Sequence, residues 1–180
     1  MTTFVAWDTE TTGLTLPSVI TKEAQPRIID FAAIKLSRTT GEEVARYQTL
    51  INPECALPSE ITKITGYTDA DLCDAPRFAE VLPGIIDFFL GTRSMLSHNL
   101  PFDKAMLRYE LERLDRLTSF PWPPQQLCSV AMYATELGKR PRLTDLYERI
   151  IGKKLDQTHT AMDDTEALVA IVRKERLYEL

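Results

Sequence analysis

"FVAWDTETTG", residues 4–13, is the stretch on which the reading of the fold turns. Phe4, Val5, Ala6 and Trp7 are apolar on both alternating sides, the pattern of a central strand covered on two faces. Alternation sends Phe4, Ala6, Asp8 and Glu10 one way, provided the extended conformation persists to Glu10, and Val5 and Trp7 the other. Two like charges then sit at the edge of a core, where an unpaired carboxylate protonates, finds a cation or binds a metal. The plainer reading is turn capping, because "DTETTG" is rich in turn formers.

Working outward, further strands are expected at 28–37 and 43–51, with Thr40-Gly41 as the turn between them. The stretch 14–27 reads as an exposed loop. Helical periodicity over 77–90 is expected to break or restart at Pro83. A short strand at 94–97 runs into a helix near 101–114 with Pro101 at its start. "SFPWPP", 119–124, reads as a rigid loop, followed by an extended piece near 127–129 and helices at about 129–137, 143–151 and 161–176. Early hairpins followed by strand–helix alternation give an α/β class, a five-stranded mixed sheet flanked by helices. With no linker long enough to divide the 180 residues, a single domain over 1–180 is expected.

The composition, 44% hydrophobic and 26% charged, is that of a soluble globular chain. No apolar run is long enough to span a bilayer, and no basic-then-apolar leader opens the sequence. Cys55, Cys73 and Cys128 are odd in number and form no CxxC pair, which points to reduced thiols in a cytoplasmic compartment. A net charge of −5 argues against gripping long duplex nucleic acid by counterion release. Any polyanion is expected to be handled at a small site, with divalent cations offsetting the repulsion.

Two more acids interrupt apolar helix faces. In "PFDKAMLRYELERL", Asp103 shares a face with Met106, Leu107, Leu111 and Leu114, and Glu110 blemishes the same stripe. In "HTAMDDTEALVAIVRK", Asp164 shares a face with Ala167, Leu168 and Ile171. Asp163 falls on the solvated side, where Thr160 as N-cap would make it the N3 residue of a capping box. For Asp103 the ordinary alternative is a helix N-terminal acid favoured by the macrodipole. Asp8, Asp103 and Asp164 with Glu10 are hard to bury together without divalent cations, and all-oxygen ligation suits Mg²⁺ or Mn²⁺ rather than zinc. Carboxylate-held metal pairs break phosphodiesters. Of the two histidines, His159 lies just before the helix of Asp164, a placement suited to a general base or to plain surface. His98 ends a strand and is as well suited to satisfying backbone groups at the turn.

"DTETTG" at 8–13, "HNLPFD" at 98–103 and "HTAMDD" at 159–164 resemble the three exonuclease motifs of the DEDD superfamily, and the His-x-Ala-x-x-Asp form of the third marks its histidine branch. "RIIDFAAIKL", "ITGYTDADLCDAPRFAEVL" and "LCSVAMYATELG" also resemble the DnaQ-like family of polymerase III epsilon subunits and their stand-alone relatives. The likeness runs in order over roughly residues 3–176. It implies an RNase H-like fold and 3′→5′ exonuclease activity releasing nucleoside monophosphates from a nucleic acid 3′ end.

By position, the resemblance gives Asp8, Glu10, Asp103 and Asp164 to two Mg²⁺ or Mn²⁺ ions. Asp8 would bridge both, Glu10 and Asp164 would serve the nucleophile side, and Asp103 the other, directly or through water. His159 would take the proton of the attacking water. Thr11, Thr12, Gly13 and Leu14 would hold the terminal nucleotide, with His98 and Asn99 touching substrate. Phe102 would stack on a base or else pack in the core.

The chain departs from the family pattern at "TGYT", where Thr65 stands in place of a frequent histidine and would meet the terminal nucleotide from that side, and loop 14–27 is long for the family. Polymerase-bound relatives carry a docking tail; the sequence stops at Leu180 without one, as expected of an enzyme acting alone or of a shortened chain. DNA with single-stranded or frayed ends is the expected substrate. The alternatives are RNA, or a non-catalytic module that binds nucleic acid ends, against which stands the full set of acids and His159. Lys139, Arg140, Arg142, Lys153 and Lys154 offer a path for the strand, or merely a solvated surface.

Overall fold

The computed structural model describes residues 2–17, 21–137, 140–156 and 159–180. Strand β1 (Thr3–Thr11) lies at the middle of a five-stranded sheet, with β2 (Ile28–Ser37), β3 (Glu43–Leu50), β4 (Thr92–Ser97) and β5 (Gln125–Cys128) in the order β3-β2-β1-β4-β5. The β1–β2 and β2–β3 pairs are antiparallel, and β1–β4 and β4–β5 are parallel. The sheet is thus mixed, as the sequence implies. Extended structure continues past Glu10 to Thr11, with a register shift between the two. The condition placed on Glu10 above is therefore met.

Each face of β1 has its own core. Val5 and Trp7 pack with Phe31, Met95 and residues of α3 (Phe78–Phe89) and α4 (Leu100–Arg113). Phe4 and Ala6 pack with Ile34, Leu36 and residues of α6 (Leu143–Ile151) and α7 (Ala161–Lys174). Trp7 is fully buried, and each side chain of this kind contributes about 1.5–3 kcal/mol through the apolar surface it removes from water. Helix α5 (Ser129–Leu137) follows β5 directly. Among the described residues, no helix is long and apolar enough to cross a membrane.

Two expectations change. Helices α1 (Ser59–Thr65) and α2 (Asp69–Leu72) occupy a stretch in which no element is expected from the sequence. Only Thr65 and Leu72, respectively, are buried in them, so neither shows an apolar stripe. Helix α3 runs unbroken through Pro83. Pro83 and Ala79, whose carbonyl loses its partner, both face solvent, so water replaces the missing bond.

Candidate active site

The acids arrive at one end of β1 from both sides of the sheet. Asp8 and Glu10 lie on the Phe4/Ala6 side, the side covered by α7. Asp164 stands in the first turn of α7 and shares the face of Ala167, Leu168 and Ile171, all buried. One carboxylate oxygen from each of Asp8, Glu10 and Asp164 lies within 4.8 Å of the others. Thr160 caps α7: its hydroxyl oxygen accepts from the Asp163 amide at 3.2 Å, and its hydroxyl donates to Asp163 Oδ2 at 2.7 Å. Asp163 therefore has the capping work its spacing suggests, and Asp164 is turned to the cluster.

Asp103 comes from the opposite side. Helix α4 packs against Val5 and Trp7, and Thr9, on that same face of β1, donates its hydroxyl to Asp103 Oδ1 at 2.9 Å. Ser97 Oγ donates to Oδ2 at 3.1 Å. Asp103 is 2% exposed. It stands outside the close triad of Asp8, Glu10 and Asp164 but near enough to act electrostatically on Asp8.

The electrostatics are those of acids crowded together. Burial, and then the charges of Asp103, Asp164, Glu10 and Asp30, push the Asp8 carboxyl well above the usual range. Burial, then Asp164, Asp30 and Asp103, push Glu10 up to about 8. Burial raises Asp103 to about 7 against the opposing hydrogen bonds from Thr9 and Ser97. A divalent cation removes this repulsion, and an all-carboxylate donor set fits a hard ion such as Mg²⁺ or Mn²⁺. The residues present therefore fit the implied metal.

A cavity of about 620 Å³ opens on Asp8 and Asp164 and is also lined by His159, His98, Asn99 and Thr144. His159 is exposed and held at φ +56°, a conformation that non-glycine residues seldom adopt outside special sites. His98 is differently employed. Its Nε2 faces the Pro141 carbonyl at 3.1 Å and its Nδ1 lies 2.8 Å from Ser129 Oγ. A carbonyl only accepts, so Nε2 carries the hydrogen and both ring nitrogens are spent on tying β4 to α5 and the entry of α6. Burial lowers its pKa.

The remaining residues assigned to substrate divide in the same way. Leu14 is 79% exposed beside the first motif. Phe102 is half-buried; it lines a second cavity, of about 710 Å³, and also packs on the core. Thr11 is buried and donates its hydroxyl to the Gly13 carbonyl at 2.8 Å. The Thr12 amide donates to the Arg27 carbonyl at 2.8 Å, and its hydroxyl oxygen accepts from the Arg27 amide at 2.9 Å. Thr65 is buried within α1, donates to the Ile61 carbonyl and accepts from the Tyr67 amide. Its hydroxyl is spent on its own helix and does not join the cluster. Lys139 lies outside the described residues.

Two features escape the sequence reading. Asp30, directly across from Glu10 in the β1–β2 pair, is fully buried. Its Oδ2 accepts from the Tyr67 hydroxyl at 2.9 Å and from the Ala161 amide, the first of α7, at 3.0 Å. It thereby seats the helix that carries Asp164. Its signal was present in "RIIDFAAIKL", an acid on the side of Ala32, Ile34 and Leu36.

The second feature is the anchorage of loop 14–27. Glu110, 2% exposed, accepts from the Ile28 amide and from Arg27 Nη1, each at 3.2 Å. Arg113 Nη1 stands 3.0 Å from Glu110 Oε1, close enough to neutralise it although not aligned as a hydrogen bond. Arg113 donates to the carbonyls of Lys22, Gln25 and Pro26, and the buried Gln25 side chain bonds both backbone groups of Leu16. The blemish on α4 is the post to which this loop is tied.

A family model named RNase T and described as Exonuclease matches residues 5–172. Among curated proteins, a Mycobacterium tuberculosis protein described as a bifunctional exonuclease/endonuclease is 33% identical over 178 residues, 95% of this chain and 26% of its own length. The DNA polymerase III subunit epsilon of Treponema pallidum is 39% identical over 108 residues, 60% of this chain and 46% of its own. A PolC-type DNA polymerase III of Oceanobacillus iheyensis is 32% identical over 181 residues, 98% of this chain and 12% of its own. The chain thus spans less than half the length of each. The nuclease domain of 3′hExo, a DEDDh family member solved with rAMP, superposes with a TM-score of 0.77 at 24% identity, covering 99% of this chain and 94% of that one. That likeness is one of fold, and the RNase H-like architecture expected above is the one observed.

Proposed function

The chain belongs to the DEDDh, DnaQ-like family of 3′→5′ exonucleases, and on that premise we propose that residues 1–180 act as one exonuclease domain releasing nucleoside 5′-monophosphates from DNA 3′ ends, single-stranded or frayed ends being preferred. The observation that carries the reading is the convergence of Asp8, Glu10 and Asp164, with Asp103 behind them, at a cavity lined by Asp8, Asp164 and an exposed His159. The choice of DNA draws on relatives named as a DNA polymerase III subunit and as a PolC-type DNA polymerase III. A polymerase partner follows from the same names and is part of the proposal.

In this reading Asp8, Glu10, Asp103 and Asp164 would hold two Mg²⁺ or Mn²⁺ ions. Bound there, divalent ions supply Lewis-acid polarisation of the phosphate and a more acidic attacking water. The His159 imidazole takes the proton of that water. The water oxygen bonds to phosphorus, the P–O3′ bond breaks, and the 3′ oxygen leaves to be protonated. Thr9 and Ser97 donate to both Asp103 oxygens and so favour its charged form against the opposing effect of burial. Leu14 meets the terminal base, and Phe102, in the wall of the second cavity, a base of the chain behind it.

The test is direct. With a 3′-labelled single strand and Mn²⁺, the protein is expected to release labelled mononucleotide, and EDTA to stop it. Binding without product under every divalent ion would overturn the enzymatic reading. Matched DNA and RNA oligomers, compared by kcat/KM, decide the substrate; a faster RNA rate would overturn the choice of DNA.

A further inference from the structure

The acid-lined cavity and the larger cavity beside it meet at a neck. Asn99, Val130 and Arg140 line both. On the far side of the neck the walls are largely apolar, with Leu16, Phe102, Tyr109 and Ala134 among them. Arg140 is the one cation among the described residues lining that second cavity. Its Nη2 donates to Asn99 Oδ1 at 2.7 Å, and Asn99 is itself fixed at φ +71° at the N-terminus of α4. The guanidinium is therefore held over the passage, with further N–H groups left to offer.

A nucleic acid chain with its 3′ end in the acid cavity carries one phosphate per nucleotide. The scissile phosphate has the metal-binding acids. The next phosphate upstream has no such provision, and the protein around it carries a net charge of −5. A chain running from the acid cavity into the apolar one crosses the neck, where Arg140 waits. Guanidinium is suited to this task, because its planar fork pairs two N–H groups with two phosphate oxygens.

We propose that Arg140, braced by Asn99, is a specificity-determining residue that binds the first phosphodiester upstream of the scissile bond, so that the enzyme favours chains of three or more nucleotides over dinucleotides. The proposal rests on the exonuclease reading above and adds a length rule to it.

The experiment compares a dinucleotide and a trinucleotide, both with a free 5′ hydroxyl, in Mn²⁺. The dinucleotide has only its scissile phosphodiester, whereas the trinucleotide has one more. For the wild type, kcat/KM is expected to be higher on the trinucleotide. Arg140→Ala is expected to shrink the trinucleotide-to-dinucleotide ratio about tenfold, mainly through KM, and Arg140→Lys to restore part of it as a point charge. On a longer single strand, the slope of log affinity against log salt is expected to flatten by about 0.7, the share of one phosphate contact.

A ratio unmoved by Arg140→Ala would overturn the proposal, whether both substrates slow equally or neither does. The first result would make Arg140 a partner of the scissile phosphate, and the second a solvated surface charge. A wild type inert on these substrates and on the longer single strand alike would instead overturn the exonuclease reading, and this proposal with it; one active on the longer strand but on neither short substrate would overturn this proposal alone.

Discussion

Asp103 and Glu110 stand two turns apart on α4, each 2% exposed, and their surroundings are opposite. Glu110 is neutralised within the chain, by Arg27 and Arg113 and by the Ile28 amide. Asp103 has two hydroxyls and, near it, the carboxyl of Asp8. One acid is complete as folded. The other sits among acids that repel it and one another. Burial alone does not separate a structural acid from a functional one; the sign of its neighbours does.

Substitution should separate the two acids. Asp8→Ala and Asp103→Asn are expected to cut kcat by roughly 10³-fold or more, the scale of removing a group that acts in the transition state. Melting temperature in EDTA is expected to hold or rise in both, because each relieves repulsion. Glu110→Ala should do the reverse. It leaves two arginines beside an empty site, at a cost of about 3–5 kcal/mol measured by chemical denaturation, with turnover per folded molecule within a few-fold of wild type. A strong stability loss in Asp103→Asn would erase the distinction.

The pH dependence of stability sharpens the comparison. A carboxyl whose pKa in the fold exceeds its unfolded value of about 4 stabilises the fold below that value. The contribution is lost as pH rises through the folded pKa. With Glu10 at about 8, Asp103 at about 7 and Asp8 raised, the melting temperature in EDTA is expected to fall from about pH 4.5 to about pH 8. Mn²⁺ should oppose the fall, and most strongly at the alkaline end, where the ligands are ionised. Asp103→Asn should flatten the EDTA profile. A flat profile in the wild type would mean that the acids are not crowded.

What the sequence made legible follows the same logic. Asp8, Asp103 and Asp164 could be found because each puts charge on an apolar face, a pattern readable one element at a time. Glu110 was noticed for the same reason, but its partner Arg27 lies across the fold, and no local pattern reveals that. The substrate roles that resemblance implies for His98 and Thr65 cannot be checked from sequence; the fold spends both His98 ring nitrogens, and the Thr65 hydroxyl, on internal bonds. Helix α1, "SEITKIT", buries only Thr65, so periodicity had nothing to register, and its β-branched residues pointed elsewhere.

Asp30 is the intermediate case and gives the smallest effect. It is buried like Asp103 and Glu110, yet its Oδ2 is met by a phenol and a backbone amide rather than by a cation. Burial raises its pKa while the Tyr67 hydrogen bond lowers it. Tyr67→Phe removes that donor with little change of shape, and a hydrogen bond to a charged group is worth about 1.5 kcal/mol. The loss should be largest at alkaline pH, where Asp30 is ionised, and should shrink toward pH 4 as the carboxyl takes up a proton. Because the same oxygen receives the first amide of α7, activity should slip a few-fold through the seating of Asp164, with Mn²⁺ affinity falling alongside it. A Tyr67→Phe protein equally stable at pH 8 and pH 4.5 would show that the Ala161 amide alone suffices, and would move Asp30 to the side of Glu110, among acids the fold satisfies by itself.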